Sequence, residues 1–136
     1  KSQDKAAAVA IGEGDKPILG PIETPFPLPR ANATFCDIEG EKRDYFYLFG
    51  GEYFDGVTNI FLDDLLRYEA LRKEWKQIIT APRPSPRCAH SCVSYKNCLY
   101  VFGGELETAD QYHHYRDLWK FDASTLKWTE IAAKNS

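Results

Sequence analysis

The chain has 136 residues, a formal net charge of −3, and 43% hydrophobic and 14% aromatic residues, which is typical of a globular protein. The acidic balance argues against nucleic-acid binding, which favours a basic face, and no stretch approaches the roughly 18–20 apolar residues of a membrane span. We therefore expect neither a nucleic acid nor a membrane among its partners.

The chain begins with a segment, residues 1–24, that is predicted to be a flexible N-terminal tail. Glycines and prolines interrupt any helix that the alanines at positions 6–8 could start: Gly12, Gly14, Pro17, Gly20 and Pro21. Pro25, Pro27 and Pro29 then alternate with other residues, which predicts a stiff, extended lead into the first strand. A second Pro-rich segment, residues 81–87, is predicted to link two repeats.

Eight runs, rich in aromatic and β-branched residues and bounded by turn residues, are predicted to be strands. In chain order they are residues 30–36, 45–49, 64–69, 74–79, 88–95, 98–102, 117–122 and 127–131. We therefore expect an all-β fold.

The second four runs repeat the first four at a spacing of 53 residues. Residues 47–52 (YLFGGE) are echoed by residues 100–105 (YVFGGE), and Trp75 is echoed by Trp128. A repeat near 50 residues with an apolar run, a Gly-Gly pair and a late Trp resembles a kelch repeat, which forms one four-stranded antiparallel blade of a β-propeller.

A whole propeller needs about 4–8 blades, so residues 25–136 are predicted to hold two kelch repeats, at about 25–80 and 81–133, of a longer propeller. We expect Trp75 and Trp128 to fill the gaps between adjacent sheets. Because a two-blade fragment leaves two sheet faces uncovered, we also expect it to self-associate through them.

The longest loop of each repeat joins its second and third strands, at residues 52–63 and 105–116. The two loops have equal length and different sequences, as expected where a constant frame carries a variable binding surface. Their aromatic residues suit contact anchors, although the rings could instead pack under their own loops. The candidate partner-binding residues are Tyr53, Phe54, Asp55, Tyr112, His113, His114 and Tyr115.

Candidate chemistry is sparse. Cys88, His90 and Cys92 alternate and would share one face of a strand, but a straight strand spreads them over about 13 Å, too far for a tetrahedral zinc site. Glu52 and Glu105 could pair as acid and base, yet the repeat itself explains their pairing. Since the sequence has no nucleophile elbow, P-loop or dinucleotide fingerprint, we expect no catalytic residue, no metal and no cofactor.

The four cysteines form no regular framework, and the first 20 residues lack the apolar core of a signal peptide. These observations predict reduced thiols and an intracellular protein, in the cytoplasm or alternatively in the nucleus.

Four motifs resemble the kelch domain-containing protein four subfamily: residues 29–33 (PRANA), 49–54 (FGGEYF), 87–90 (RCAH) and 112–119 (YHHYRDLW). The resemblance implies a six- or seven-bladed intracellular propeller whose first two blades are present here, and a structural role for Arg87 and His90. We therefore predict a kelch-repeat protein–protein interaction module, a scaffold or adaptor that binds a protein partner of unknown identity through its inter-strand loops. The alternative is a propeller enzyme or metal-binding protein whose site lies in blades missing from this chain.

Overall fold

The computed structural model describes residues 11–41 and 43–132 of the chain. Within these residues the regular structure consists of thirteen strands, and no helix is long and apolar enough to cross a membrane. The strands are β1 (Ile18–Pro21), β2 (Thr34–Asp37), β3 (Tyr45–Phe49), β4 (Glu52–Phe54), β5 (Asn59–Phe61), β6 (Leu65–Glu69), β7 (Glu74–Ile79), β8 (Ser91–Tyr95), β9 (Cys98–Phe102), β10 (Glu105–Glu107), β11 (Tyr112–His114), β12 (Leu118–Asp122) and β13 (Lys127–Glu130).

Two antiparallel sheets form the frame, and we call them blade 1 and blade 2. Blade 1 has the strand order β1-β7-β6-β3-β2, and blade 2 has the order β13-β12-β9-β8. A two-residue turn at Lys96 and Asn97, both with positive φ, joins β8 to β9, as the right-handed twist of a hairpin favours. The eight predicted strands are confirmed, and so is the all-β fold built from propeller blades.

One strand of blade 1 comes from the segment that was predicted to be a flexible tail. Residues 18–21 form β1 and pair along their length with β7, from Ile18 opposite Ile79 to Pro21 opposite Lys76. The prediction is therefore wrong at these positions, because Ile18 and Leu19 make a short extended run that covers the outer edge of the blade. Residues 1–10 of the predicted tail lie outside the described residues.

The core lies between the two blades. Tyr47 and Phe49 of blade 1 pack against a set of buried residues from blade 2: Leu99, Val101, Trp119, Phe121 and Trp128. Trp128 is 3% exposed, and its ring centroid lies 5.2 Å from that of Phe49 and 5.3 Å from that of Phe121. The predicted inter-sheet position of this tryptophan is confirmed.

Trp75 occupies the equivalent position in blade 1 but faces away from blade 2. Its ring packs on aromatic residues of its own sheet, 5.0 Å from Tyr68 and 6.2 Å from Phe35, and it is half-buried. The prediction of a filled inter-sheet gap is wrong here, because among the described residues no second sheet covers this face. Phe35 on this face is 55% exposed, and Val93 and Phe102 on the outer face of blade 2 are 63% and 54% exposed.

The two long connections predicted as loops are instead β-hairpins. The first pairs β4 with β5, and the second pairs β10 with β11, each over three residue pairs. Both hairpins follow the Gly-Gly end of a central strand, so each continues a blade beyond its frame. The prediction missed them because three-residue strands are too short to show a period-2 pattern.

Candidate interaction surface

The first hairpin ends in a tight turn held by Asp55. Its Oδ1 accepts hydrogen bonds from the backbone N–H groups of Val57 and Thr58, both at 2.8 Å, and Gly56 supplies a φ of 98°. These two backbone bonds hold the pKa of the Asp55 carboxyl below its ordinary value. The predicted binding residue Asp55 therefore shapes the hairpin tip, which presents Phe54 at 61% and Val57 at 85% exposure.

The second hairpin carries a hydrogen-bonded cluster on its surface. The Tyr112 hydroxyl lies 2.6 Å from Nε2 of His114, and both groups lie within 3.4 Å of the Glu105 Oε2 atom. Partial desolvation and the Glu105 carboxylate raise the pKa of Tyr112. Because Tyr112 and His114 are both exposed and point along one face of β11, this cluster suits contact with a partner.

An arginine anchors the base of each hairpin. Arg87 is fully buried and donates to Asp117 at 2.6 and 2.9 Å and to the Gly103 carbonyl at 3.0 Å. Arg30 makes the equivalent bonds in blade 1, to both carboxylate oxygens of Asp64 and to the Gly50 carbonyl. Bidentate pairs of this kind fix geometry as well as charge, so each hairpin leaves its blade at a defined angle.

Tyr115 belongs to this anchor and is not freely presented. Its ring lies under the Arg87 guanidinium, 3.9 Å from the guanidinium carbon to the ring centroid, and His113 packs 4.6 Å from the same ring. Tyr115 and Tyr53 are half-buried, whereas Phe54, Tyr112, His113 and His114 are exposed. Of the predicted residues, the last four and Asp55 are exposed.

The two hairpins lie next to each other at the junction of the blades. Ala31 bridges to Glu52, Cys88 bridges to Glu105, and the Gly51 N–H donates to the Arg87 carbonyl at 2.9 Å. The Glu52 carboxylate faces the Cys88 thiol, and burial together with Glu52 and Glu105 raises the pKa of that thiol to about 12. The bases of the two hairpins therefore meet, and we call the two hairpins together the hairpin rim (residues 52–61 and 105–114).

The cysteines and histidine weighed as metal ligands do not converge. Cys88 precedes β8 and bridges to β10, while the Nε2 atom of His90 lies 2.9 Å from the Thr34 hydroxyl and its ring packs on Phe49. Burial lowers the pKa of His90 to about 4, with the nearby Arg87 charge adding to the effect. Residues 11–41 and 43–132 contain no group of three or more metal-ligating side chains close enough to hold an ion.

Val57 and the ion pairs of the two arginines were missed from the sequence, although the resemblance implied a structural role for Arg87. Val57 was not singled out because a lone aliphatic residue in a predicted loop carries no distinctive signal. A pattern in the sequence did accompany the two arginines: each repeat has a Pro-Arg pair before its first strand and an Asp at its third strand. The pattern does not show that the Arg and the Asp form an ion pair, because they lie 30 or more residues apart in the chain.

Comparison with known proteins gives a family match over most of the chain. The model of the Attractin/LZTR1 β-propeller family matches residues 46–136. The putative protein tag-53 of Caenorhabditis elegans is 33% identical over 97 residues, which cover 68% of this chain and 7% of that protein.

Two further relatives are named for kelch repeats. Kelch domain-containing protein 3 of Rattus norvegicus is 29% identical over 97 residues, covering 67% of this chain and 25% of that protein. Kelch-like protein 25 of Xenopus tropicalis is 32% identical over 111 residues, covering 78% of this chain and 17% of that protein. The chain thus spans a quarter or less of the length of these three relatives.

Proposed function

This chain belongs to the Attractin/LZTR1 β-propeller family, and from that membership we propose that it is a protein-interaction module that binds a partner through the hairpin rim. The partner-binding residues in this proposal are Tyr53, Phe54, Asp55, Tyr112, His113, His114 and Tyr115, with Val57 added from the structure. In this proposal the module is a scaffold or adaptor, and these two blades supply no catalytic residue.

The observation that carries the proposal is the exposure of large apolar side chains on a rigid support. Phe54 and Tyr112 are 61% and 60% exposed, although each belongs to a strand that is paired by backbone hydrogen bonds. Rigid aromatic anchors lose little conformational entropy on binding, which is why such rings dominate the energetics of protein interfaces. The buried arginine anchors hold the hairpins in place before any partner arrives.

The test is capture of partners from cells by the full-length protein that contains these blades. Val57→Ala is compared with Leu71→Ala, because both side chains are 85% exposed, but Leu71 lies in the turn between β6 and β7, at the strand ends opposite the rim. A second comparison uses the double variant Phe54→Ala/Tyr112→Ala. We expect the rim variants to lose a specific partner that the wild type and Leu71→Ala both retain.

Truncating two exposed anchors is expected to weaken binding by at least 10-fold, since such residues contribute about 1–2 kcal/mol each. Circular dichroism and urea denaturation must show that the rim variants remain folded. Equal recovery of the partner by all variants would place the binding surface elsewhere, and loss of the partner from Leu71→Ala as well would contradict a rim-specific interaction.

Membership of the kelch domain-containing protein four subfamily, with six or seven blades, is a further part of this proposal and rests on the four motifs. Counting repeats in the full-length protein tests it, and fewer than six would contradict it. An intracellular location, in the cytoplasm or nucleus, is proposed from the same motifs. Imaging of the full-length protein fused at its C-terminus to a fluorescent protein tests that location, and secretion would refute it.

Self-association of this two-blade chain is proposed from its uncovered faces. The face around Phe35 and Trp75 and the face around Val93 and Phe102 both expose apolar side chains that a sheet normally buries. Analytical ultracentrifugation should detect dimers or larger species of the 136-residue chain at micromolar concentration. A monomer at all concentrations would contradict the proposal.

A further inference from the structure

The two blades meet along their innermost strands, β2 and β8, which lie side by side. Two pairs of side chains meet across this seam, each with an offset of 56 positions. The Thr34 hydroxyl contacts His90, and two residues further along each segment the Cys36 and Cys92 sulfur atoms lie 3.5 Å apart. The seam therefore brings together two free thiols from different blades.

We propose that Cys36 and Cys92 are a thiol-oxidation site, at which a low-molecular-weight disulfide converts the two thiols into a disulfide that links blade 1 to blade 2. The geometry requires little movement. A disulfide bond is about 2.05 Å long, so the sulfurs must approach by roughly 1.5 Å, which rotation about the two Cα–Cβ bonds can supply.

Both side chains are only partly buried, so a small reagent can reach them. The other two cysteines differ in this respect, since Cys88 is 1% and Cys98 is 6% exposed. Burial also raises the pKa of both Cys88 and Cys98, which keeps them as unreactive thiols. The reactivity of the paired, partly exposed Cys36 and Cys92 can therefore be compared with that of the buried Cys88 and Cys98 in the same protein.

The order of the reaction follows from the environment of each thiol. A hydrogen bond from Cys92 lowers the pKa of Cys36, whereas the same contact and burial raise the pKa of Cys92. Cys36 is therefore the first nucleophile. Its thiolate attacks one sulfur of the small disulfide, forms a mixed disulfide and releases one small thiolate.

The second step uses Cys92. Formation of the mixed disulfide removes the Cys36 thiolate, the first cause of the raised pKa of Cys92, although burial still raises that pKa. The Cys92 thiolate attacks the Cys36 sulfur, forms the inter-blade bond and releases the second small thiolate. The two cysteine sulfurs lose two electrons in total, the small disulfide gains them, and the two protons pass to the two small thiols that leave.

The disulfide would constrain the hairpin rim, a consequence that rests on the proposed function. β2 follows Ala31, which bridges to the first hairpin, and β8 follows Cys88, which bridges to the second. Linking the two strands therefore fixes the distance between the bases of the two hairpins. This effect is measured separately from the chemistry, so the failure of one does not imply the failure of the other.

The test treats the full-length protein with glutathione disulfide, blocks remaining thiols, digests it with trypsin without reduction and identifies linked peptides by mass spectrometry. Cleavage after Arg30 and Lys42, and after Arg87 and Lys96, places Cys36 in peptide 31–42 and both Cys88 and Cys92 in peptide 88–96. We expect these two peptides to be linked, with two fewer reactive thiols per chain than in the reduced protein. Dithiothreitol should separate them.

Matched serine variants assign the bond. The link should disappear in Cys36→Ser and Cys92→Ser and persist in Cys88→Ser. Fragmentation of the wild-type linked peptide assigns the bond to Cys92 or Cys88 without any variant, so a variant that fails to fold leaves the test intact. Absence of the link, a stable glutathione adduct on Cys36 alone, or a bond to Cys88 would each overturn the proposal.

Binding is the separate readout. With a partner identified through the rim, its affinity is compared for the oxidised wild type and the reduced wild type, with Cys36→Ser as the control that cannot form the link. If the linked peptide forms but the affinity for the partner is unchanged, the oxidation site is supported and the proposed constraint on the hairpin rim is contradicted. A partner that never depended on the rim would instead contradict the proposed function.

Discussion

Replacing Trp128 with alanine tests the central packing claim, that blade 2 is held against blade 1 by this ring. The side chain is 3% exposed and contacts Phe49 from the opposite sheet and Phe121 from its own. A buried tryptophan removes about 150–250 Å² from water, which at about 25 cal/mol per Å² gives roughly 4–6 kcal/mol as an upper limit. Since alanine retains Cβ, we expect a loss of about 3–5 kcal/mol in the free energy of unfolding.

Trp75→Ala is the matched control, because Trp75 is the same residue at the same position of the other repeat. It is half-buried, and its aromatic neighbours, Phe35 and Tyr68, belong to its own sheet. Because part of the ring is already in water and no closed cavity is formed, the expected loss is smaller, about 2 kcal/mol. The two substitutions should therefore differ by at least about 1 kcal/mol.

The assay is urea denaturation of the 136-residue chain and its two variants, followed by tryptophan fluorescence and circular dichroism. Protein concentration is set where ultracentrifugation shows monomers, because association would cover Trp75. A loss below about 1 kcal/mol for Trp128→Ala would show that the ring is not core. Equal losses for the two variants in monomeric protein would refute the assignment of a covered and an uncovered blade face.

Three further predictions concern single contacts. The folded-state pKa of His90 lies near 4, below the unfolded value near 6.5, so the unfolded state binds the extra proton and stability falls as pH drops from 6.5 towards 4. The expected loss in the free energy of unfolding is about 3 kcal/mol. When unfolding by urea is measured at several pH values in this range, the free energy of unfolding of His90→Gln should depend less on pH than that of the wild type. Arg87→Met leaves the Asp117 carboxylate without its ion-pair partner and should lower the free energy of unfolding by about 3–5 kcal/mol. Arg83→Met is the control and should lower it by less than about 1 kcal/mol, because its ion pair with Asp63 is partly exposed. Equal losses for the two variants in urea denaturation would contradict this prediction. Gly50→Ala and Gly103→Ala both place alanine at positive φ, at a cost of about 1–2 kcal/mol. Only at Gly50 would the new Cβ lie 2.8 Å from the His90 ring. The melting temperature of Gly50→Ala should therefore fall further than that of Gly103→Ala.

The fold was predictable because the sequence pattern of each frame strand occurs twice, once in each repeat. A single run such as residues 98–102 is ambiguous between a buried strand and part of a buried helix. Its match to residues 45–49 at a fixed spacing, with a Gly-Gly after both, removes the ambiguity, because a repeat near 50 residues leaves room for four short strands. This redundancy explains why the eight frame strands agree with their observed positions to within a few residues.

The candidate surface was predictable only in part, because its elements lie where the repeats differ. Phe54 and Tyr112 were found from their aromatic character in segments of variable sequence, and the structure leaves both exposed. The same variability hid the hairpins, since the ladders of β4 with β5 and β10 with β11 depend on backbone pairing and turn chemistry more than on side-chain pattern. Tyr115 was grouped with the contact residues because a sequence cannot show that Arg87 lies against its ring.

The same buried arginines connect the fold to the proposed function. Arg30 and Arg87 each satisfy a glycine carbonyl and an aspartate at the point where a hairpin leaves its blade, so the position of the hairpin is set by the frame and not by the hairpin sequence. The hairpin sequences can then differ, as residues 52–61 and 105–114 do, without moving the supports. Cys36 and Cys92 lie on the strands that follow these two supports, which makes the inter-blade seam the place where a covalent link would act on the spacing of both hairpins at once.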